Sequence, residues 1–359
     1  MTKTLELTKL QSQKSLMSNE RYLSILEEIK KHGGKVDVGK PNDKVLIIDG
    51  LNTFIRVFSV IPTTNDDGVH VGGIVGFLKS IGYSIKMLGP TRCIVVFDGK
   101  GGSTRRRKLY PEYKQKRKTK VRLNRAYDFS SMEDERHSML MQLSRCVEYL
   151  EKLPLTILSV DSVEADDVIA YITEQVLTKS KVTIMSTDKD FLQLVDDRVS
   201  VWSPTKKKLY TPERVGEEYE IASSNFIMYR VLDGDKSDNI SGIKGFGLKT
   251  IIKKFPLLLE DKEINIDELI DYARNNKVVI EEDVINRNYK LMQLKEVDIS
   301  ASAKLKISTN VNKSIPPTSK MAFEKMFIED RLFSTFPNLD SWLLTTWTQL
   351  NRYAEMTNG

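Results

Sequence analysis

The sequence predicts an α/β protein with a doubly wound, mostly parallel sheet, helices on both faces of the sheet and a smaller helical region after it. Short apolar runs typical of buried strands alternate with longer amphipathic segments over residues 44–211. Acidic residues follow several of these runs, as Asp49 follows KVLII and Asp98 follows CIVVF. After Thr211 the pattern turns mostly helical, which places the second region there.

The individual elements follow from the spacing of apolar residues, which is 2 in strands and about 3.6 in helices. Strands are expected at Lys44–Asp49, Cys93–Asp98, Leu155–Val160, Lys181–Ser186, Val199–Ser203 and Lys208–Tyr210. Helices are expected at Gly72–Leu88, Glu133–Leu153, Asp166–Leu177, Ser223–Leu232, Leu248–Phe255 and Lys320–Phe333.

Two expectations about the helices are more specific. A helix is expected to begin near Pro111, because proline suits the first turn of a helix. In the helix at 133–153, the side chains expected to face the core are Leu140, Leu143, Val147 and Leu150.

Composition divides the chain into four parts. Residues 1–43 are polar and are interpreted as an N-terminal extension that is flexible or binds a partner. Residues 44–211 form the predicted α/β core, which includes a basic segment at about 103–130. Residues 212–300 form the predicted helical region, and residues 301–359 a partly helical C-terminal tail.

Composition also excludes several classes of protein. Of the 359 residues 40% are hydrophobic and 29% are charged, as in globular proteins. No run reaches the ~18 apolar residues that would span a membrane. The N-terminus lacks the apolar core of a secretory signal, so a cytoplasmic location is expected. Cys93 and Cys146 are interpreted as reduced core residues, and the three isolated histidines argue against a Ser-His-Asp or Cys-His mechanism.

The most informative feature is a set of acidic residues near the ends of the apolar runs. Groups just past the carboxyl ends of parallel strands share one crevice. Carboxylates gathered there would repel one another, by about 4 kcal/mol for a pair at 4 Å and an effective dielectric constant near 20. Oxygen ligands suit magnesium or manganese, so the sequence predicts divalent ions held against an anionic substrate. The acidic residues are Asp49, Asp98, Glu164, Asp166, Asp167, Asp188, Asp190, Asp235 and Asp238.

Each acidic motif also has a simpler explanation. Asp49 and Asp98 precede glycine, as in ordinary turns. The acids at 164–167 would complement the N-terminus of a helix, and Asp188 would suit a helix cap. Residues 233–239 would form a turn rich in Asp and Asn. The metal-binding interpretation rests on the occurrence of all these motifs together.

Two further motifs, one basic and one glycine-rich, are suited to binding a polyanion. A basic block beside an acidic metal site would help to bind a polyanionic substrate, although a solvated charged loop is an equally good explanation of the block. Residues 242–250 end a turn and open a helix, and their glycines let the backbone approach a phosphate; a plain turn between helices is the alternative. The basic block contains Arg105, Arg106, Arg107, Lys108, Lys114, Lys116, Arg117, Lys118, Lys120, Arg122 and Arg125.

In this order the motifs resemble those of the 5′-nuclease superfamily. That superfamily includes flap endonucleases, the 5′–3′ exonuclease domains of bacterial DNA polymerases and the ribonuclease H of tailed phages. The resemblance covers about residues 44–256 and implies a PIN-like nuclease core followed by a helix–two turns–helix subdomain. The pieces that carry it are VEADD at 163–167, STDKDFLQL at 186–194, GDKSDNI at 234–240 and GIKGFGLKT at 242–250.

The resemblance implies two magnesium sites. The first would use Asp49, Asp98, Glu164 and Asp166, and the second Asp167, Asp188, Asp190, Asp235 and Asp238. It implies catalytic roles for Asp49, Asp98, Glu164, Asp166, Asp188, Asp190, Lys114 and Arg117. The basic segment would match the arch that surrounds a single-stranded 5′ end, with DNA contacts from Arg106, Tyr113, Lys114 and Arg117. Contacts to the duplex, with a potassium ion at the turn, would come from Gly242, Lys244, Gly245, Gly247, Lys249 and Thr250.

The function implied by the resemblance is that of a magnesium-dependent 5′–3′ exonuclease and flap endonuclease with ribonuclease H activity. Two or more Mg2+ ions are expected, with Mn2+ able to substitute. The expected substrates are duplex or flap DNA and RNA–DNA hybrids, and the expected role is primer removal in phage-type DNA replication. The resemblance suggests a monomer in the host cytoplasm, with a single-strand-binding protein or a sliding clamp as partner and no contact with a membrane.

Two departures and two alternative functions accompany this resemblance. Residues 1–43 have no counterpart in the shared core, and the chain beyond about residue 300 is unmatched. Leu248 stands where many relatives have a polar residue. One alternative is a structure-specific DNA-binding protein without catalysis, and the other is a PIN-type ribonuclease.

Overall fold

A six-stranded sheet forms the centre of the protein. The computed structural model describes residues 39–115 and 122–356, together with Ser24 and Glu27. The sheet strands are β1 (Lys44–Asp49), β2 (Arg92–Phe97), β3 (Thr156–Ser159), β4 (Lys181–Met185), β5 (Val199–Ser203) and β6 (Lys208–Tyr210), and a small hairpin is formed by β7 (Gly234–Asp235) and β8 (Ile240–Ser241).

The strand order in the sheet is β3-β2-β1-β4-β5-β6. Strands β1 to β5 are parallel to one another, and only β6, the neighbour of β5, runs antiparallel. Strands β2 and β3 are added in turn on one side of β1, and the chain then crosses over so that β4 lies on the other side of β1. The predicted doubly wound, mostly parallel sheet is confirmed, and its order reverses between β1 and β4. Open α/β sheets bind ligands at such a point, beyond the carboxyl ends of the strands.

The helices cover both faces of this sheet. Successive side chains of a strand point to opposite faces. In β1, Val45 and Ile47 therefore join one buried core, whereas Leu46 and Ile48 join the other. The helices are α1 (Gly50–Phe58), α2 (Gly72–Leu88), α3 (Thr104–Leu109), α4 (Met132–Leu150), α5 (Ala165–Tyr171), α6 (Pro212–Tyr219), α7 (Phe226–Asp233), α8 (Leu248–Lys254), α9 (Ile266–Asn275), α10 (Glu282–Met292), α11 (Ala301–Asn312), α12 (Lys320–Glu329) and α13 (Leu339–Tyr353).

Two expectations about the helices are met only in part. Within the described residues no α-helix begins at Pro111, because α3 ends at Leu109, residues 111–114 form turns and Gln115 is 3₁₀-helical. In α4, Leu140 is 51% exposed, whereas Gln142 and Cys146 are buried. The buried stripe of α4 includes Leu150, as predicted, but it also contains Gln142, which donates to the carbonyl oxygen of His70 at 2.8 Å.

The segment predicted as a partly helical tail contains three helices that pack on both faces of the sheet. Ile307 and Val311 of α11 belong to the core that includes Ile47. Trp347 and Leu350 of α13 belong to the other core. The predicted domain boundaries stay predictions, and the extension at 1–43 lies mostly outside the described residues. Across the described part of the chain, no helix has both the length and the apolar character needed to cross a membrane.

We expect Trp347→Ala to lower the free energy of unfolding by about 3–5 kcal/mol, because it removes a fully buried side chain and leaves a cavity. Leu344 lies on the same helix but is 63% exposed. Leu344→Ala should therefore change stability by less than about 0.5 kcal/mol. Urea unfolding followed by circular dichroism measures both changes. Equal changes for the two variants would show that α13 does not pack as described.

Candidate active site

The predicted acidic residues gather beyond the carboxyl ends of β1, β2 and β4. Asp49 is the last residue of β1, Asp98 directly follows β2, and Asp188 lies shortly after β4. The N-terminus of α5 brings the acids at 164–167 to the same edge, and the hairpin of β7 and β8 brings Asp235 and Asp238. A cavity of about 320 Å³ is lined there by Asp49, Asp98, Asp166, Asp188 and Asp238.

Hydrogen bonds to the cavity carboxylates tie neighbouring elements together. Asp49 caps α1 by accepting from the backbone N–H of Asn52 at 3.2 Å, and it also accepts from Ser186 Oγ at 3.0 Å. Asp98 Oδ1 accepts from the backbone N–H of Ala165 at 2.8 Å, where α5 begins. The capping explanation offered for Asp188 is correct, because its side chain accepts from the backbone N–H of Asp190 at 2.8 Å at the start of the 3₁₀ helix Lys189–Leu194. Asp49, Asp98 and Asp188 all nevertheless line the cavity.

The cavity carboxylates are electrostatically unfavourable on their own. Burial raises the pKa of Asp49 to about 7, hydrogen bonds from Asn52 and Ser186 oppose the rise, and the charges of Asp188 and Asp98 add to it. Burial and the charges of Asp188 and Asp49 raise the pKa of Asp166 well above its ordinary value. Among the described residues, no Lys or Arg forms an ion pair with Asp49, Asp98, Asp166 or Asp188. A bound cation would relieve this repulsion, so these residues fit a divalent metal site.

Two of the predicted metal ligands, Glu164 and Asp167, form ion pairs with Arg106. Arg106 Nη1 and Nη2 donate to the two oxygens of Asp167 at 2.7 Å each, and Nη1 also contacts Glu164. Arg106 Nε donates to the carbonyl oxygen of Leu291 at 2.8 Å. Arg106 is only 3% exposed and does not line the cavity, and its predicted contact with DNA stays a prediction.

Two further predicted ligands, Asp190 and Asp235, pair with Arg230 of α7. Each accepts from its guanidinium group at 2.6 Å. Sequence reasoning missed Arg230, which sits within an apolar helix and outside every acidic or basic run. In the part of the chain that the structure describes, no three His, Cys, Asp or Glu side chains already form a cluster that would hold one metal ion.

Lys114 joins the basic segment to the cavity. Its Nζ lies 2.5 Å from Glu164 Oε1 and 3.8 Å from Asp238 Oδ2, and it lines the cavity with the carboxylates. Its backbone N–H donates to the carbonyl oxygen of Asp238 at 2.9 Å. Burial acts to raise the pKa of Glu164, but Arg106 and Lys114 outweigh it and lower that pKa. Lys114 thus places a positive charge, in addition to that of Arg56, at the wall of a cavity lined mainly by carboxylates.

The remaining predicted residues of the basic segment differ in position. Tyr113 is buried, and its hydroxyl lies 3.4 Å from both carboxylate oxygens of Glu164. It therefore contacts an acid of the site rather than solvent. Arg117 lies outside the described residues.

The glycine-rich turn lies next to the acidic hairpin rather than in the cavity. The backbone N–H of Ile243 donates to the carbonyl oxygen of Leu232 at 2.9 Å, which fixes the turn against α7. Gly242 packs so closely that a Cβ there would lie 2.2 Å from the carbonyl oxygen of Asp233. Gly245 has φ of +81°, a conformation that favours glycine. The side chains of Lys244 and Lys249 are exposed, Thr250 is half-buried, and Gly247 precedes α8 without a side-chain cap.

Comparison with known proteins places this chain in a family. The family described as 5'-3' exonuclease, N-terminal resolvase-like domain, matches residues 44–220. A 5'-3' exonuclease of Buchnera aphidicola subsp. Acyrthosiphon pisum is 32% identical over 74% of this chain and 91% of its own length. A 5'-3' exonuclease of Aquifex aeolicus is 35% identical over 58% of this chain and 68% of its own length. The thermostable DNA polymerase I of Thermus aquaticus is 34% identical over 61% of this chain, but only 24% of its own length is covered.

A solved structure shares the fold. The bacteriophage T5 D15 flap endonuclease, in a complex with DNA and metal ions, matches with a TM-score of 0.56 and 23% identity over 80% of this chain and 97% of its own. The sheet and the crevice beyond its strands thus have the α/β architecture of that solved structure. With the sequence matches, the chain belongs to the 5′–3′ exonuclease family of 5′ nucleases, as the order of its motifs predicted.

Proposed function

We propose that the protein hydrolyses phosphodiester bonds at the 5′ ends of duplex or flap DNA and of RNA–DNA hybrids, as a magnesium-dependent 5′–3′ exonuclease and flap endonuclease. The observation that carries this proposal is the cavity at the point where the strand order reverses. Four carboxylates there, Asp49, Asp98, Asp166 and Asp188, have no ion-pair partner among the described residues. A protein that only binds DNA gains nothing from carboxylates that repel phosphate.

The proposed cofactor is Mg2+, with Mn2+ able to substitute, and these four carboxylates would hold it. When bound, such ions supply Lewis-acid activation of water and of a phosphate ester. Lys114 would offset negative charge on the phosphate, because its ammonium group already lies at the cavity wall. Glu164 holds Lys114 in this position through their contact at 2.5 Å.

Contacts to DNA are proposed on both sides of the cavity. The exposed Lys244 and Lys249 of the glycine-rich turn would contact the phosphates of a duplex, with a potassium ion bound at the Gly242–Gly247 turn. The basic segment would surround the single-stranded 5′ end. Support comes from the T5 D15 flap endonuclease, which was crystallised with DNA and metal ions and shares this fold.

The proposed biological role is removal of RNA primers during phage-type DNA replication. The protein would act as a monomer in the cytoplasm of the host, with a single-strand-binding protein or a sliding clamp as partner. This role depends on ribonuclease H activity, which cleavage of an RNA–DNA hybrid measures directly.

The test is incubation of the protein with a labelled 5′-flap duplex and, in parallel, a labelled RNA–DNA hybrid. With Mg2+ we expect cleavage of both substrates into products with a 5′ phosphate and a 3′ hydroxyl, and EDTA should stop it. Binding of the flap duplex without cleavage in either Mg2+ or Mn2+ would contradict the proposal and favour a DNA-binding protein without catalysis. Cleavage of single-stranded RNA alone would favour a PIN-type ribonuclease.

A further inference from the structure

Asn52, in the first turn of α1, lies where two cavities meet. Asn52, Thr187 and Asp188 line the cavity of about 320 Å³ that contains the carboxylates, and they also line a neighbouring cavity of about 530 Å³. The side chain of Asn52 is half-buried. A nucleic-acid strand bound across the two cavities would therefore pass this side chain.

Contacts with Thr187 fix the orientation of the Asn52 side chain. Asn52 Oδ1 accepts from the backbone N–H of Thr187 at 3.1 Å and from Thr187 Oγ1 at 2.8 Å. Because a backbone N–H can only donate, the oxygen of the amide, and not its nitrogen, must face Thr187. The Nδ2 group of Asn52 therefore points away from Thr187.

The Nδ2 group carries two N–H donors that the described residues leave unused. Carboxylates line both cavities, but no acceptor of the described part of the chain forms a hydrogen bond with Asn52 Nδ2. An acceptor must then come from solvent or from a bound molecule. Asparagine amides commonly donate to phosphate oxygens of nucleic acids. A neutral amide can do so without forming an ion pair with the carboxylates that would hold the metal ions.

We propose that Asn52 is a further catalytic residue, whose Nδ2 donates a hydrogen bond to a non-bridging phosphate oxygen of the nucleic-acid strand where the two cavities meet. The inference deepens the proposed function and rests on it. The amide binds and orients the phosphate, and no covalent bond forms or breaks at Asn52. Sequence reasoning did not select this residue, because Asn52 lies outside the acidic, basic and glycine-rich motifs.

The test uses labelled 5′-flap duplexes in which a neutral methylphosphonate replaces one phosphate at a time on either side of the scissile bond and at it. Binding is measured with Ca2+ in place of Mg2+, and single-turnover cleavage is measured with Mg2+. We expect Asn52→Ala to weaken binding or slow cleavage of the ordinary duplex by about tenfold to a hundredfold, because it removes a hydrogen bond to a charged group. One methylphosphonate should lower the same quantity in the wild-type protein and have no further effect in Asn52→Ala.

Two further variants separate this contact from a structural role of Asn52. Asn52→Asp keeps an oxygen that accepts from Thr187 but repels a phosphate, so the methylphosphonate that impairs the wild-type protein should improve binding or cleavage by this variant. Asn52→Asp decides the question even if Asn52→Ala fails to fold. Asn310→Ala is the matched control: Asn310 donates its amide to the carbonyl oxygen of Lys306 at 2.8 Å and lines neither cavity. It should behave as the wild-type protein with every duplex.

The outcomes distinguish this proposal from the proposed function. If every methylphosphonate has the same effect in Asn52→Ala as in the wild-type protein, Asn52 does not contact a phosphate and the proposal is wrong. A wild-type protein that binds the duplex but does not cleave it would count against the proposed function alone, and the binding measurements would then decide the role of Asn52. A wild-type protein that does not bind the duplex would overturn both.

Discussion

Asp188→Ala is expected to lower the rate of flap cleavage by about 10³-fold while the protein stays folded. Asp188 lines the cavity, and no Lys or Arg of the described residues pairs with it. Its carboxylate contributes to the raised pKa values of Asp49 and Asp166. Removing it therefore relieves repulsion within the cavity, so thermal stability should be unchanged or slightly higher. The substitution also removes one of the proposed ligands of the metal ion.

Single-turnover cleavage of the labelled flap duplex measures this loss, and thermal unfolding checks the fold. Asp197→Ala is a matched control, because Asp197 is exposed at the amino end of β5, on the opposite edge of the sheet. Asp197→Ala should cleave at the wild-type rate. If Asp188→Ala retains wild-type activity, the cavity is not the site of the reaction.

Lys114→Ala is expected to slow cleavage by about 10²-fold or more and to change duplex binding little. Lys114 is positioned at the cavity wall, where its charge would act on the reacting phosphate rather than along a duplex. The substitution should not disrupt the acids nearby, because Glu164 keeps its contact with Arg106. The loss should therefore appear in the rate at saturating enzyme concentration.

Lys249→Ala is expected to weaken duplex binding and to change the rate of cleavage little. Lys249 is exposed in the glycine-rich turn and does not line the cavity. Loss of one phosphate contact should weaken duplex binding and reduce the dependence of log Kd on log salt by about 1. Binding measured in EDTA over a range of salt, together with single-turnover rates, separates the two variants. Equal effects of both variants on binding and on rate would show that the two lysines do not have the distinct roles assigned here.

The sequence alone predicted the fold class, because the spacing of apolar residues is a local property. The runs VLII at 45–48 and CIVVF at 93–97 are apolar throughout, as expected of strands buried on both faces, and both lie in interior strands of the sheet. The position of Asp49 and Asp98 at the ends of these strands was predicted for the same reason. Proline at 111 was a weaker guide, because the described residues 111–114 form turns after α3 ends at Leu109.

The contacts within the site could not be predicted in this way. Arg106 and Arg230 look unremarkable in the sequence, one within a basic run and the other within an apolar helix. Their partners lie far away along the chain: Asp167 is 61 residues from Arg106, and Asp190 is 40 residues from Arg230. No local pattern encodes such a pairing, since it depends on how α3, α5 and α7 come together.

What the sequence by itself determined is therefore the α/β architecture and the gathering of acidic residues at one edge of the sheet, because both follow from periodicity and from the direction of parallel strands. Only the tertiary structure decided which acids face the cavity and which face an arginine. It also decided that the C-terminal helices complete both cores, as Val311 and Trp347 show. The physical reason is that burial and ion pairing depend on neighbours in space, which are distant along the chain.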